Sequence, residues 1–199
     1  MGQRIQIYIR YNVIENGVNY KGLIARYYSW NYGERMISRA RTILEELNDV
    51  FMKYKWCFGK KDKIEKLKRI CDINFDMRDI IMSSDIIKEV KEEWDKNASY
   101  IFSQDNNDGQ LYIDITDDGI QYCFTKYCFE GEPMDAEQYM KWNCENENHP
   151  DWHQPWEYRD KDTILYTEKN IEAICKIGKL MSAERLKNFV NDDYDYLFV

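Results

Sequence analysis

Alternating apolar and polar residues near the beginning of the chain predict a β-hairpin. In residues 4–11 the isoleucines fall on one side of an extended strand, and the polar and aromatic side chains fall on the other. Asn16-Gly17 follows, and this pair favours a two-residue turn because both residues tolerate a positive φ. Residues 18–28 then return as the second strand. The pattern therefore predicts an antiparallel pair with one buried face.

The register of this hairpin raises a question about Arg26. If the turn contains two residues, Glu15 pairs with Val18 and Arg26 lies opposite Ile7, on the apolar face. An unpaired charge on a buried face is costly. Either a β-bulge removes the conflict, or Arg26 binds a carboxylate or a ligand.

Apolar residues at three- and four-residue spacing predict five helical segments. Ser83 or Ser84 can cap the third of these segments, and Pro133 precedes the fourth. The segments are residues 34–54, 62–72, 85–95, 134–143 and, with a break near Gly178, 162–190.

Residues 99–129 show the shorter pattern of β-strands separated by turns. A short aromatic segment at 99–104, an alternating segment at 110–116 and a third segment at 120–129 predict a three-stranded antiparallel meander. The expected fold class is α+β, with the hairpin and the meander packed against four to six helices. Residues 1–199 are expected to form a single domain, and any subdivision would fall near residue 97.

The composition is that of a globular chain. The 199 residues are 44% hydrophobic and 15% aromatic, which is enough to bury a core and excludes wholesale disorder. Neither a membrane-length apolar run nor the pattern of a signal peptide is present. The six cysteines form no C-x-x-C pair, and because the sequence shows no export signal we expect a reducing cytoplasm and reduced cysteines.

The net charge of −8 is distributed unevenly. Residues 97–162 contain 15 acidic residues against 4 basic ones, whereas residues 53–69 contain eight basic residues. An acidic, aromatic surface suits a protein that occupies a basic groove, although solubility alone also explains such charge. The candidate partner-binding residues are Asp105, Asp108, Asp114, Asp117, Asp118, Glu130 and Glu132.

The first hairpin offers a second candidate site. Arg26, Tyr28, Trp30 and Tyr32 place aromatic rings near an arginine, an arrangement that can stack RNA bases or a nucleotide signal. Core packing and cross-strand pairing are the competing explanation for these rings.

Residues for catalysis or metal binding are sparse. Cys144, His149 and His153 have the spacing of zinc ligands, but a closed site needs a fourth ligand, and an aromatic loop explains them as well. The chain contains no P-loop, no G-x-S-x-G and no H-E-x-x-H motif. We therefore predict a non-enzymatic protein with no catalytic residues, no metal and no cofactor.

Two short segments carry a resemblance to a known group of proteins. They are QRIQIY at residues 3–8 and YYSWNYGERM at residues 27–36. In these segments the chain resembles small accessory proteins of phages and prophages of Gram-positive bacteria. The resemblance implies an antagonist of host defence, such as an anti-CRISPR protein. Together with the acidic stretch, it predicts an inhibitor that binds a basic, nucleic-acid-binding bacterial protein, with a CRISPR effector as the first example.

Overall fold

The N-terminal hairpin forms with the predicted register. Strand β1 (Arg4–Glu15) pairs antiparallel with β2 (Val18–Ser29), and Glu15 lies opposite Val18. The pairing runs without a bulge, so Arg26 does lie opposite Ile7. The computed structural model describes residues 4–15, 17–29, 31–54, 57, 59–70, 83–86, 99–103, 108–126, 131–145 and 156–192.

The hairpin belongs to a six-stranded mixed sheet. Strand β4 (Gln110–Thr116) pairs in parallel with β1, and β5 (Gly119–Thr125) returns antiparallel to β4. Two short strands, β3 (Ser83–Asp85) and β6 (Lys179–Leu180), form the edges, so that the order is β3-β2-β1-β4-β5-β6. One sheet thus joins strands from before and after residue 97. The assignment of a single domain stays a prediction.

The helices follow most of the predicted segments. Helix α1 (Glu34–Asn48) continues into a π-helical turn at Asp49–Lys53, and a 3₁₀ turn at Trp156–Tyr158 precedes helix α5 (Lys161–Ile177). The break predicted near Gly178 is present, and it contains β6. The helices are α1 (Glu34–Asn48), α2 (Lys60–Ile70), α3 (Ser99–Phe102), α4 (Ala136–Cys144), α5 (Lys161–Ile177) and α6 (Ala183–Val190).

One prediction of secondary structure is wrong. The segment at 99–104 begins as helix α3 rather than a strand, so the predicted three-stranded meander is reduced to the β4–β5 hairpin. A short apolar run fits either structure, and here helix α3 buries Ile101 and Phe102 against the sheet. The third predicted helix, residues 85–95, stays a prediction: Asp85 is the last residue of β3, Ile86 is helical, and residues 87–95 lie outside the described residues.

Helices cover both faces of the sheet. Helices α1, α2, α4 and α5 pack on the face that carries the isoleucines of β1. Helices α3 and α6 pack on the other face, around Tyr8, Tyr112 and Phe189. Residues 5–10 of β1 and 110–115 of β4 are consequently all buried. Among the helices that the structure describes, none combines the length and the apolar character needed to cross a bilayer.

Candidate functional site

Two of the predicted acidic surface residues lie in the interior. Asp114 is 1% exposed, and its carboxylate accepts hydrogen bonds from Arg10 and, at 2.6 Å, from Arg185 Nε. Asp108 is fully buried beneath Tyr139, whose hydroxyl donates to the Asp108 carbonyl oxygen at 3.1 Å. The prediction that Asp108 and Asp114 contribute to an exposed acidic surface is therefore wrong. Asp114 was misplaced because β4 is a central strand with both faces covered, and sequence alternation suggested a solvated face.

The exposed members of the predicted acidic set do not form one surface. Asp117 and Asp118 lie in the turn between β4 and β5, where the Asp117 carboxylate accepts a hydrogen bond from the Ile14 backbone N–H at 3.1 Å. Glu132 lies beyond the other end of β5, which is about 20 Å away for a strand of this length. Asp105 and Glu130 fall outside the described residues.

The predicted nucleotide-binding residues are not assembled into a stacking surface. Tyr28 is 1% exposed, and the Arg39 guanidinium lies over its ring at 4.4 Å, so this ring cannot stack on a base. Arg26 is half-buried and lies in register with Asp85 of β3. Tyr32 is half-buried before α1, and Trp30 lies outside the described residues.

The described cysteines do not belong to a cluster of potential metal ligands. Cys144 ends helix α4 and is buried, whereas His149 and His153 lie outside the described residues. No group of three potential metal ligands occurs among the residues that could be searched. Burial raises the pKa of the Cys123 thiol, which disfavours the nucleophilic thiolate there.

A groove between α4 and α5 combines charge with an apolar area. Helix α5 directs one face into the interior and another into the groove, because side chains three and four residues apart lie on the same face of a helix. Thr167, Asn170 and Ile174 face the interior. The adjacent face lines the groove with residues at positions i, i+3, i+4 and i+7, namely Glu168, Ile171, Glu172 and Cys175.

Local interactions hold both helices in place. Helix α4 begins with a capping box, in which the Asp135 carboxylate accepts from the Gln138 backbone N–H at 2.8 Å and the Gln138 side chain accepts from the Asp135 N–H. Helix α5 is tied to α1 by a hydrogen bond of 2.8 Å from Arg41 Nη1 to Asn170 Oδ1. The two walls of the groove are therefore positioned independently of any ligand.

The groove has a volume of about 890 Å³, within the range of protein ligand sites. Its floor is apolar and consists of Met140, Cys144, Trp156 and Ile171, the first two of which are buried. Its rim is acidic: Glu137 on α4, Glu145 at the C-cap of α4, and Glu168 and Glu172 on α5 surround a single lysine among the described lining residues, Lys141. All four glutamates are exposed.

Glu172 on the rim is ionised at neutral pH and forms an exposed ion pair with Lys176. A hydrogen bond of 2.6 Å from Lys176 lowers the pKa of the Glu172 carboxyl below its ordinary value, so this group is ionised. The groove thus presents carboxylates around an apolar floor, and such a surface favours a ligand that is both cationic and apolar.

Sequence reasoning missed this groove because half of its rim lies outside the acidic stretch at 97–162. Glu168 and Glu172 belong to a segment that has nearly balanced charge. The available signal was the i, i+4 pair of glutamates with Ile171 between them on the same helical face. The chain matches no protein-family model, no curated protein and no solved structure, so the geometry of the site stands without a relative to compare.

Proposed function

We propose that this protein is a non-enzymatic inhibitor that binds a basic, nucleic-acid-binding bacterial protein through the acidic groove between α4 and α5. The observation that carries the proposal is the combination of four rim glutamates with an apolar floor in one cavity. The partner class follows from the resemblance of the N-terminal segments to phage accessory proteins, and a CRISPR effector is the first partner to test.

The two parts of the groove serve different roles in such a complex. Carboxylates on the rim occupy the positions that phosphates would take on a basic surface, and they accelerate association by long-range attraction. The apolar floor supplies the desolvated contact that holds most of the affinity in a protein interface. Both roles are of the binding kind, and neither requires a reacting group.

The test is direct binding to a purified single-chain CRISPR nuclease, measured by biolayer interferometry with and without guide RNA. We expect binding that weakens as the salt concentration rises, because screening reduces attraction between exposed charges. The variant Glu168→Lys/Glu172→Lys should bind at least about tenfold more weakly. If the nuclease does not bind at low salt, the assignment of the partner is wrong.

The control is Asp117→Lys/Asp118→Lys, which changes the net charge by the same amount at the turn between β4 and β5. It should retain most of the affinity, because these residues lie outside the groove. A larger loss in this variant than in the groove variant would place the interface at the turn and overturn the proposed site. Binding to RNA alone that depends on Arg26 would favour the alternative nucleotide-binding function.

A further inference from the structure

We infer that the segment of the partner that enters the groove is an amphipathic α-helix with an apolar stripe flanked by lysine or arginine residues. This inference rests on the proposed function, since it names the part of the partner that the same groove would bind. Three features of the groove support it: the apolar floor, the acidic rim and the backbone hydrogen bonding of its two helices.

The floor requires apolar side chains in its occupant. Met140 and Cys144 are one helical turn apart on α4, and Ile171 lies on the facing side of α5. Met140 is 4% exposed and packs in the core, so the apolar side chains of the floor that an occupant can reach are chiefly the half-buried Trp156 and Ile171. Leu165, which is 51% exposed, extends the apolar character along the same side of α5, three residues before Glu168. A row of apolar side chains, rather than a single one, matches this floor.

The rim requires cations at helical spacing. Glu168 and Glu172 are separated by four residues, or about 6 Å along α5. Glu137 in the first turn of α4 and Glu145 at its C-cap are separated by eight residues, or about 12 Å along the helix axis. These distances correspond to one and two helical turns, so basic residues at positions i, i+4 and i+8 of a helix lying in the groove would meet the carboxylates.

Backbone hydrogen bonding favours a helix over an extended peptide as the occupant of the groove. Both walls of the groove are helices whose own N–H and C=O groups are bonded within the helix, so the walls offer side chains and no strand edge. An extended peptide would leave its backbone groups unsatisfied against the apolar floor, which is costly. A helix satisfies these groups internally and presents its apolar face to the floor, as in other helix-in-groove complexes.

The experiment uses two fluorescein-labelled peptides of about 18 residues, long enough to form a helix on binding. The first has leucines at i, i+3, i+4 and i+7 and lysines elsewhere, and the second has the same composition in scrambled order. Fluorescence anisotropy with the full chain should show binding of the amphipathic peptide at least about tenfold tighter than that of the scrambled one. Circular dichroism should show that the bound peptide gains helicity.

Three variants separate the rim from the floor. Glu168→Gln/Glu172→Gln should lower the affinity for the amphipathic peptide about tenfold and make it less dependent on salt. Ile171→Asn should also lower the affinity but leave its salt dependence unchanged. Asp117→Asn/Asp118→Asn is the matched control and should bind normally. Thermal unfolding of each variant verifies that it is folded.

The outcomes distinguish this inference from the proposed function. Equal affinity for the two peptides would overturn the helical occupant, while an acidic groove that binds basic proteins would remain. The helical occupant is also wrong if the nuclease binds through Glu168 and Glu172 but neither peptide does, or if spermidine binds as tightly as the amphipathic peptide. Absence of binding by both the peptides and the nuclease would overturn both proposals.

Discussion

Arg10 and Asp114 lie opposite each other on the parallel strands β1 and β4 and are joined by two hydrogen bonds, Nε to Oδ1 at 2.9 Å and Nη2 to Oδ2 at 2.7 Å. The pair is buried, and the Arg10 guanidinium also lies 4.5 Å from the centre of the Phe189 ring. Asp192 accepts a further hydrogen bond from Arg10 Nη1 at 3.1 Å. The ion pair therefore links the central strands to the end of helix α6.

Removing the charge of Asp114 should destabilise the whole fold. Asp114→Asn leaves the buried Arg10 without its main counterion and weakens the contact of 2.6 Å from Arg185. We expect the free energy of unfolding to fall by about 3–5 kcal/mol, as measured by urea denaturation. Asp118→Asn, at an exposed position, should change it by less than about 0.5 kcal/mol. Equal stability of the two variants would show that the ion pair contributes nothing.

Removing the hydroxyl of Thr167 should stabilise the fold, in contrast to the change at Asp114. Thr167 is fully buried on α5, and within the described part of the chain its hydroxyl has no hydrogen-bond partner. Thr167→Val removes this unsatisfied group at nearly constant helix propensity, so the free energy of unfolding should rise by about 1 kcal/mol. Thr163→Val is the control: the Thr163 hydroxyl donates to Asp160 at 2.7 Å, and its loss should lower stability. A loss of stability in both variants would contradict this account.

Gly22 lies directly opposite Tyr11 in the N-terminal hairpin. A Cβ at position 22 would overlap the Tyr11 ring, which is 2% exposed and cannot swing into solvent. Gly22→Ala should therefore lower the free energy of unfolding by about 1–3 kcal/mol. Gly59→Ala meets its nearest atom at an ordinary contact distance of 3.6 Å and should change stability by less than about 1 kcal/mol.

A double-mutant cycle identifies the cause of the Gly22 effect. In the background Tyr11→Leu the added methyl group has room, so Gly22→Ala should cost less there than in the parent protein. Strictly additive changes in the free energy of unfolding would show that the ring is not the obstacle.

The protein should lose stability in alkaline solution because several tyrosines are buried. Burial raises the pKa of Tyr11 from 10.0 to about 12, and burial also raises the pKa values of Tyr122 and Tyr139. Above pH 10.0 the unfolded chain ionises these groups while the folded chain keeps them neutral, so this contribution is complete below pH 10.0 and is lost as the pH rises toward about 12. Each such group lowers the free energy of unfolding by about 1.4 kcal/mol per pH unit.

Urea denaturation between about pH 9 and pH 11 measures this slope. Tyr11→Phe should reduce the slope, whereas Tyr158→Phe, at a position that is 73% exposed, should not. The same slope in Tyr11→Phe and in the parent protein would rule out Tyr11 as a contributor.

The local elements of the fold could be predicted because their signals are local. A two-residue turn predicted at Asn16-Gly17 implies that Glu15 pairs with Val18, as it does, and apolar spacing locates α1, α2, α4 and α5. The prediction of a strand at residues 99–104 is wrong because a short apolar segment shows no period that distinguishes a strand from a helix. Its helical state depends on packing against the sheet, where the Tyr8 hydroxyl donates to the Ile101 carbonyl oxygen at 2.8 Å.

The arrangement of the sheet and the site depended on long-range contacts. Nothing in the alternation of β1 indicates that β4 will pair with it in parallel, or that α6 will cover its second face. Asp114 is buried because β4 pairs with β1 and because α6 covers the second face of the sheet. Likewise, the groove combines rim residues from two helices separated by residues 146–160, so its acidic character cannot be read from a continuous stretch of charge.

The ion pair of Arg10 has a consequence for how the chain folds as it is synthesised. Arg10 pairs with Asp114, 104 residues later, and with Asp192, 182 residues later. The first hairpin therefore leaves the ribosome long before its parallel neighbour and the helix that covers its second face. Contacts of such high sequence separation slow folding and leave apolar strands exposed in the interval. We expect chaperones to bind the nascent hairpin until α6 emerges.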